Sequence, residues 1–298
     1  MIRRALALPV VAALALAGCS GGAAGSAPVQ VIYAGSLTRL MENHLLPGFR
    51  RSCGCGVQGE PKGSLAIANL IKGGIRRPDV FISADVAADR ALAGPANGNH
   101  VSWWIDFATT ELVIGWSPKS RFASDFRSAR LGRRSWESVL EQPGLRLGRT
   151  DPELDPKGYR TLWLFQLDER RSGRAGEARR ILGPARNPAQ IFPEEELVAR
   201  LQAGELDAGV FYLVEAVAAG LPYLRLPAAV NQGDPTMAAA YGSVAFTTAN
   251  GVTVRGSPIL FTVTIPASAP DRPGALSWVR YLLGRQAAGS LAGGGLAS

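Results

Sequence analysis

Strand patterns alternate with helix patterns over the first two-thirds of this chain, and that alternation constrains the fold more than any other feature. Val29-Gln30-Val31-Ile32-Tyr33 alternates β-formers and runs into Ala34-Gly35-Ser36, after which an amphipathic helix is expected from Leu37 to about Leu46, ended by Pro47-Gly48. Gly63-Ser64 opens a second helix through Leu70, stopped at Gly73-Gly74. Asp79 to Ser83 is a mostly apolar strand of the kind buried in parallel sheets. Further strands are read at Glu111–Trp116, Leu145–Leu147, Ala208–Tyr212 and Tyr223–Leu226, and helices at Gly158–Asp168 and Leu197–Leu201. Beyond them, Val244–Phe246, Val252–Arg255 and Leu260–Ile265 look like β-structure, and Ala275–Leu283 closes the chain as a helix. Such alternation argues for an α/β fold with mainly parallel sheets. The last strands and helix are too few for a domain of their own, so they are expected to return to an earlier one. The reading is therefore two α/β lobes with strands crossing between them and a ligand cleft at the strand carboxyl ends, where helices begin.

The amino terminus says where the protein works. Arg3 and Arg4 precede an apolar run from Ala5 to about Gly18, too short to span a bilayer, which needs about 20 apolar residues. A basic start, a short apolar segment and small residues read as a secretory signal. Leu16-Ala17-Gly18-Cys19 resembles the bacterial lipoprotein box, which implies lipidation of Cys19 after removal of residues 1–18. Residues 19–28, rich in Gly, Ala and Ser, read as a lipidated cysteine and a flexible tether. The expected location is the cell envelope, on the periplasmic or extracellular face of a bacterial membrane.

Composition fits a well-buried globular protein, with 47% hydrophobic and 19% charged residues. The formal charge is +8, and falls to +6 when Arg3 and Arg4 leave with the signal. A basic surface attracts anions; export argues against nucleic acid and leaves acidic lipid or a small anionic solute. Cys53 and Cys55 would form a very tight loop if bridged, and the sequence leaves their redox state open. Gly54 to Gly59 fits a dinucleotide fingerprint by letter, but follows no strand and opens no clear helix, so it is set aside. Only His44 and His100 could serve as imidazole bases, and no nucleophile elbow accompanies them, so no hydrolase is read here. Arg170, Arg171, Arg174, Arg179 and Arg180 read as a solvated helix face.

The polar residues that could recognise an anion sit at helix starts. Ser36 and Ser64 follow Gly and look like N-caps; Asp155-Pro156-Lys157-Gly158 has an acceptor at N-cap and Pro at N1; Phe192-Pro193-Glu194-Glu195-Glu196 repeats the Pro signal with acids in the first turn. Helix N-termini carry unpaired N–H groups and partial positive charge, so several converging on one cleft make an anion site. Each taken singly also reads as no more than the cap of its own helix.

The segments Val31 to Leu37, Pro78 to Asp85 and Gly148 to Arg160, with Gly204 to Asp207, Tyr212, Ser257 to Ile259 and Thr264 to Pro266, resemble the molybdate/tungstate-binding proteins of ABC importers, the tungstate type more closely. The likeness spans roughly residues 29–290, and its most specific part is Asp151-Pro152-Glu153-Leu154-Asp155-Pro156-Lys157-Gly158-Tyr159-Arg160. It implies the type II periplasmic-binding-protein fold, with lobe I formed by residues 29–112 and 241–298 and lobe II by residues 113–240. It further implies that Gly35 and Ser36 form the first oxyanion-binding loop and Ser64 the second serine. Asp155, Pro156 and Lys157 would supply a carboxylate and backbone N–H groups, Glu194 the second acid, with Glu195 and Glu196 adjacent, and Tyr212 a hydroxyl donor. Lys157 stands where relatives often carry Cys.

A tetrahedral dianion wants N–H and O–H donors, which Ser36, Ser64, Tyr212 and the helix N-termini supply. Asp155 and Glu194 would repel an oxyanion in a low-dielectric cleft. They fit if they bond the metal centre of the bound oxyanion and complete a six-coordinate shell, or if one is protonated; otherwise both are structural. The expectation is thus a monomeric, lipid-anchored receptor that captures molybdate or tungstate, closes its lobes and docks on an ABC permease, with no covalent chemistry, no cofactor and no resident metal. A receptor for another oxyanion such as sulfate, an exported hydrolase on the same shape and a lipoprotein scaffold are the alternatives.

Overall fold

A computed structural model describes residues 27–297; the signal segment 1–18, Cys19 and most of the tether lie outside the described residues. Strand β1 (Val29–Ala34) is followed by β2 (Val57–Lys62), β3 (Val80–Ser83) and β4 (Ile105–Thr109). Two residues later β5 (Leu112–Trp116) starts a second sheet, which β6 (Leu147–Gly148), β7 (Ala208–Tyr212) and β8 (Tyr223–Arg225) complete. A hairpin of β9 (Ala245–Thr247) and β10 (Thr253–Arg255) precedes β11 (Leu260–Thr264), which returns to the first sheet.

The first sheet has the order β2-β1-β3-β11-β4 and the second β6-β7-β5-β8. In the first, β2, β1, β3 and β4 point one way and β11 runs against its neighbours. In the second, β6, β7 and β8 point one way and β5 is reversed. Both sheets are therefore mostly parallel in direction, each with one reversed strand; β5 directly follows the forward passage between sheets, and β11 comes after the return passage and the β9–β10 hairpin. The forward passage is Thr110-Glu111 and the return runs beside it: Asn231 Nδ2 donates to Glu111 Oε2 at 2.7 Å, and a side chain on Gly233 would collide with Glu111 Cβ at 2.6 Å.

The strands are apolar because both faces are covered. Val31, Val80 and Val263 of the first sheet and Leu112, Ile114 and Val210 of the second belong to one continuous buried cluster. At its centre lies the helix Pro156–Ser172, which buries Tyr159, Trp163 and Phe165 and carries the hairpin on Tyr159, whose ring stacks with Phe246 at 6.4 Å. Within the basic run after this helix, Arg174 is no free surface charge. It lies 2.9 Å from Glu137, 3.4 Å from Asp168 and 2.7 Å from Glu177, three carboxylates that are at most 4% exposed.

One expectation changes and one open point is settled. The first helix does not end at Pro47: helical backbone continues to Cys53, because Met41–Leu45 forms a π-turn in which Leu46 N–H donates to Met41 O. The wider turn leaves room for the proline ring, whose missing N–H would otherwise break the ladder. Gly54, at φ +65°, ends the helix, and Cys53 and Cys55 on either side of it are joined in a disulfide with Cα atoms 5.1 Å apart. The tight loop closes because Gly54 adopts a left-handed conformation without steric cost.

Candidate functional site

The carboxyl ends of β1 and β7 face each other across the two sheets, and the helix starts read from the sequence converge there. Glu194, the first residue of the helix Glu194–Ala203, lies against the β1–helix turn: a Cβ on Gly35 would stand 2.8 Å from Glu194 Oε2. Asp155 lies against the start of the helix Ser64–Lys72 in the same way, since a Cβ on Gly63 would meet Leu154 O at 2.7 Å and Asp155 Oδ2 at 3.4 Å. Ala66 N–H donates to Leu154 O at 3.0 Å, a main-chain bond between elements of the two sheets. Glycine is needed at 35 and 63 because backbone from one half meets acids from the other at van der Waals distance.

Neither serine caps its helix, contrary to the sequence reading. Ala34 and Gly63 hold the N-cap places; Ser36 is the second residue of its short helix and Ser64 the first of its own. Ser64 Oγ accepts from Ala84 N–H at 3.0 Å, which leaves its own proton to donate. Ser36 Oγ has no partner although the residue is 4% exposed. Asp155 does cap: its Oδ1 accepts from Lys157 N–H at 2.6 Å, with Pro156 at the first helical position. Its other oxygen, Oδ2, is buried and unpartnered, as is the hydroxyl of Tyr212 at the end of β7. Glu194 Oε1 has no hydrogen bond either, although Lys157 Nζ stands 3.2 Å away. Of the three consecutive glutamates only Glu194 points inward; Glu195 is exposed and Glu196 pairs with Arg200.

Three polar atoms from three separate segments, Ser36 Oγ, Asp155 Oδ2 and Tyr212 Oη, thus lie in the interior without partners, and Glu194 Oε1 has only the Lys157 ammonium beside it. Buried polar groups are nearly always hydrogen-bonded, and leaving one unmade costs about 1–3 kcal/mol. A concentration of such atoms marks a place built for something else to complete.

The site's ionisable groups perturb one another. Burial, then the charge of Glu194, holds the Asp155 carboxyl well above the usual range, against the opposing pull of Lys157. Burial pulls the Lys157 ammonium down, but Glu215, Glu194 and Asp155 outweigh it and keep it charged. Glu215, whose Oε2 accepts from Tyr212 N–H at 2.8 Å and whose Oε1 accepts from Lys157 Nζ at 2.6 Å, is pushed up to about 7 by burial. Burial likewise raises the Tyr212 hydroxyl.

Sequence reasoning missed Glu215, Gly63 and the side-chain role of Arg160. Glu215 stands three residues after Tyr212, the spacing by which a carboxylate reaches back to a helix start, and that spacing was the available signal. Arg160 is fully buried; it donates to Asp85 at the start of the helix Val86–Arg90, to Gln232 Oε1 at 3.1 Å, to Ser257 O at 2.7 Å and to Pro258 O at 3.1 Å. It thereby ties the second sheet's central helix to the first sheet and to the returning strand. An open groove of about 1090 Å³ lies nearby between Arg90, Glu153 and Arg255, but none of the eight residues expected at the site lines it.

Comparison with known proteins agrees with this architecture. The sequence pattern of the bacterial extracellular solute-binding protein family matches residues 29–296. A Haloferax volcanii protein with the provisional name of ABC transporter molybdenum-binding protein is 36% identical over 251 residues, 84% of this chain and 76% of its own length. The molybdate/tungstate-binding protein WtpA of Thermococcus kodakarensis is 27% identical over 281 residues, 86% of this chain and 78% of its own. Among solved structures, the periplasmic molybdate-binding protein of Azotobacter vinelandii superposes with a TM-score of 0.62 at 18% identity, covering 91% of this chain and 99% of that one, which establishes the periplasmic-binding-protein fold. Matched along nearly its whole described length, the chain belongs to the bacterial extracellular solute-binding protein family.

Proposed function

We propose that this protein is the extracytoplasmic receptor of an ABC importer and captures molybdate or tungstate between its two lobes. The observation that carries the reading is the convergence of Ser36 Oγ, Asp155 Oδ2 and Tyr212 Oη, buried and without hydrogen bonds, with Glu194 Oε1, which has the Lys157 ammonium beside it. Two hydroxyls suit the oxo groups of a tetrahedral dianion, and Ser64 and the backbone N–H groups of the Gly35–Ser36 turn add donors; Pro156 has no N–H and that of Lys157 is taken by Asp155 Oδ1, so the backbone donors expected there are not offered. Two carboxylate oxygens repel oxo groups but are good ligands for a hard, high-valent metal centre, so Asp155 and Glu194 would expand its coordination from four to six. A small central atom such as sulfur or phosphorus cannot expand in this way, and the same carboxylates then exclude sulfate and phosphate.

Lobe I is taken as residues 29–112 and 241–298 and lobe II as 113–240, with Gly35, Ser36 and Ser64 contributed by the first and Asp155, Glu194 and Tyr212 by the second. Ligand contacts drawn from both lobes favour the closed form over the open one, the differential affinity that closure requires. Names borne by relatives at 36% and 27% identity support the ligand class and the permease partner. A lipid anchor at Cys19 and action as a monomer complete the proposal; the receptor binds its ligand without transforming it.

Thermal unfolding of the chain from Ala27 onward, with molybdate, tungstate, sulfate and phosphate in turn, tests the reading. Ligand at a thousand times its Kd adds about 4 kcal/mol to stability. Shifts with molybdate and tungstate alone are expected. Equal shifts with sulfate would leave a plain hydrogen-bonding oxyanion receptor, and no shift with any anion would overturn the function.

A further inference from the structure

Lys157 brings a full positive charge into a region sealed from solvent, and its neighbours are specific. Its side chain is 0% exposed, donates to Glu215 Oε1 at 2.6 Å, stands 3.2 Å from Glu194 Oε1 and lies over the rings of Tyr212 and Phe211 at 5.6 and 5.7 Å. Glu215 is itself fixed, because its other oxygen accepts from Tyr212 N–H. A buried ammonium is costly unless paired, so its placement beside the candidate ligands is a structural commitment.

The ionisable groups around it are Asp155 at the start of its own helix, Glu194 on the facing helix, and Tyr212 and Glu215 at the end of β7 and the start of the next helix. From the first sheet, the facing Gly35–Leu37 turn brings Ser36 and no charge. Arg160, one turn along the helix, is committed to Asp85. With its acids ionised the pocket holds three negative charges and one positive, and a dianion would add two more.

We propose that Lys157 sets the charge of the pocket and so decides that it accepts a dianion, with Glu215 as the residue that positions the ammonium and Glu194 as the ligand that it holds in place. This rests on the oxyanion reading above and adds to it a side-chain role for Lys157 and a place for Glu215. The ammonium offsets the carboxylates that the metal centre needs, so the two can coexist with an incoming anion. Without the ammonium, the carboxylates would face the incoming anion uncompensated. Without Glu215, the ammonium would lose the acceptor that holds it beside Glu194.

A positioning role couples the two residues, which independent structural roles would not. Tungstate affinity of the wild type, Lys157→Met, Glu215→Gln and the double variant is measured by calorimetric titration at pH 7.5. Gln at 215 keeps an acceptor for Tyr212 N–H but turns an amide N–H₂ toward the ammonium. Lys157→Met is expected to weaken binding at least thirtyfold and Glu215→Gln severalfold, while Glu215→Gln changes nothing further once Lys157 is Met. Wild-type affinity in Lys157→Met, or equal effects of Glu215→Gln with and without Lys157, overturns the proposal. Thermal unfolding of the free variants verifies the fold, and if Lys157→Met does not fold, wild-type affinity in Glu215→Gln overturns it alone. A wild type that binds neither tungstate nor molybdate would instead refute the oxyanion reading, and this inference with it.

Discussion

Asp155 does two jobs that one substitution can separate. Its Oδ1 caps the helix Pro156–Ser172 through Lys157 N–H, while its Oδ2 faces the site with no partner. Removing an N-cap costs about 1 kcal/mol, and Asn caps as well as Asp does. Asp155→Ala is therefore expected to lose about 1 kcal/mol of stability, and Asp155→Asn none. The Asn variant puts an amide N–H₂ where Oδ2 lay, a donor for the neighbouring Glu194 carboxylate, so its ligand-free form should be at least as stable as wild type. Neither variant offers an anionic oxygen to a metal centre. Both should bind tungstate at least tenfold more weakly, a loss of about 1.4 kcal/mol or more. Thermal unfolding without ligand gives the first quantity and calorimetric titration the second. Wild-type affinity in Asp155→Asn beside weak binding in Asp155→Ala would show that the residue serves only as a cap, and would refute the coordinating role.

Three further outcomes follow from the same geometry. Gly35→Ala would put a methyl group 2.8 Å from Glu194 Oε2 and displace that carboxylate. Titration should show tungstate affinity down at least tenfold, with ligand-free stability within about 1 kcal/mol of wild type because a side-chain end gives way before backbone does. Glu215, raised from 4.5 to about 7, binds more protons folded than unfolded, so its contribution to stability is complete below about pH 4.5 and is lost as pH rises towards 7. Ligand-free melting curves should fall across that window, and in Glu215→Gln they should fall less. Arg160→Met would leave buried Asp85 without its cation; breaking such a pair costs about 3–5 kcal/mol, and urea unfolding of that variant checks it.

How much of this was legible in the sequence varies from element to element. β1, β3 and β7 were readable because they are short apolar runs bounded by turn residues, and the helix after Asp155 because an N-cap and Pro at N1 coincide. β2 was not: Gly59 and Pro61 are poor strand formers, tolerated because this strand lies at the edge of its sheet. The helix running through Pro47 was hidden because the π-turn that accommodates it has no composition of its own. The reversal of β5 and β11 depends on where the chain crosses between sheets, a tertiary fact. At the site, helix-start chemistry and family likeness picked out Gly35, Ser36, Ser64, Asp155 and Glu194, but gave the serines a capping role that Ala34 and Gly63 hold. Glu215 as the partner of Lys157, and Arg160 as a tie between the two halves, emerge only when residues 58 and 75 positions apart in sequence meet.

The proposed function turns on where the anion sits. Crystals of the protein loaded with tungstate, with data collected at the tungsten absorption edge, would locate the metal without reference to any assumed site. The coordinating role predicts one strong anomalous peak, enclosed by Ser36, Ser64, Asp155, Glu194 and Tyr212, with Asp155 Oδ2 and a Glu194 carboxylate oxygen within bonding distance of the metal. A peak elsewhere, or one at this place held only by hydroxyl and N–H donors while both carboxylates turn away, would contradict it.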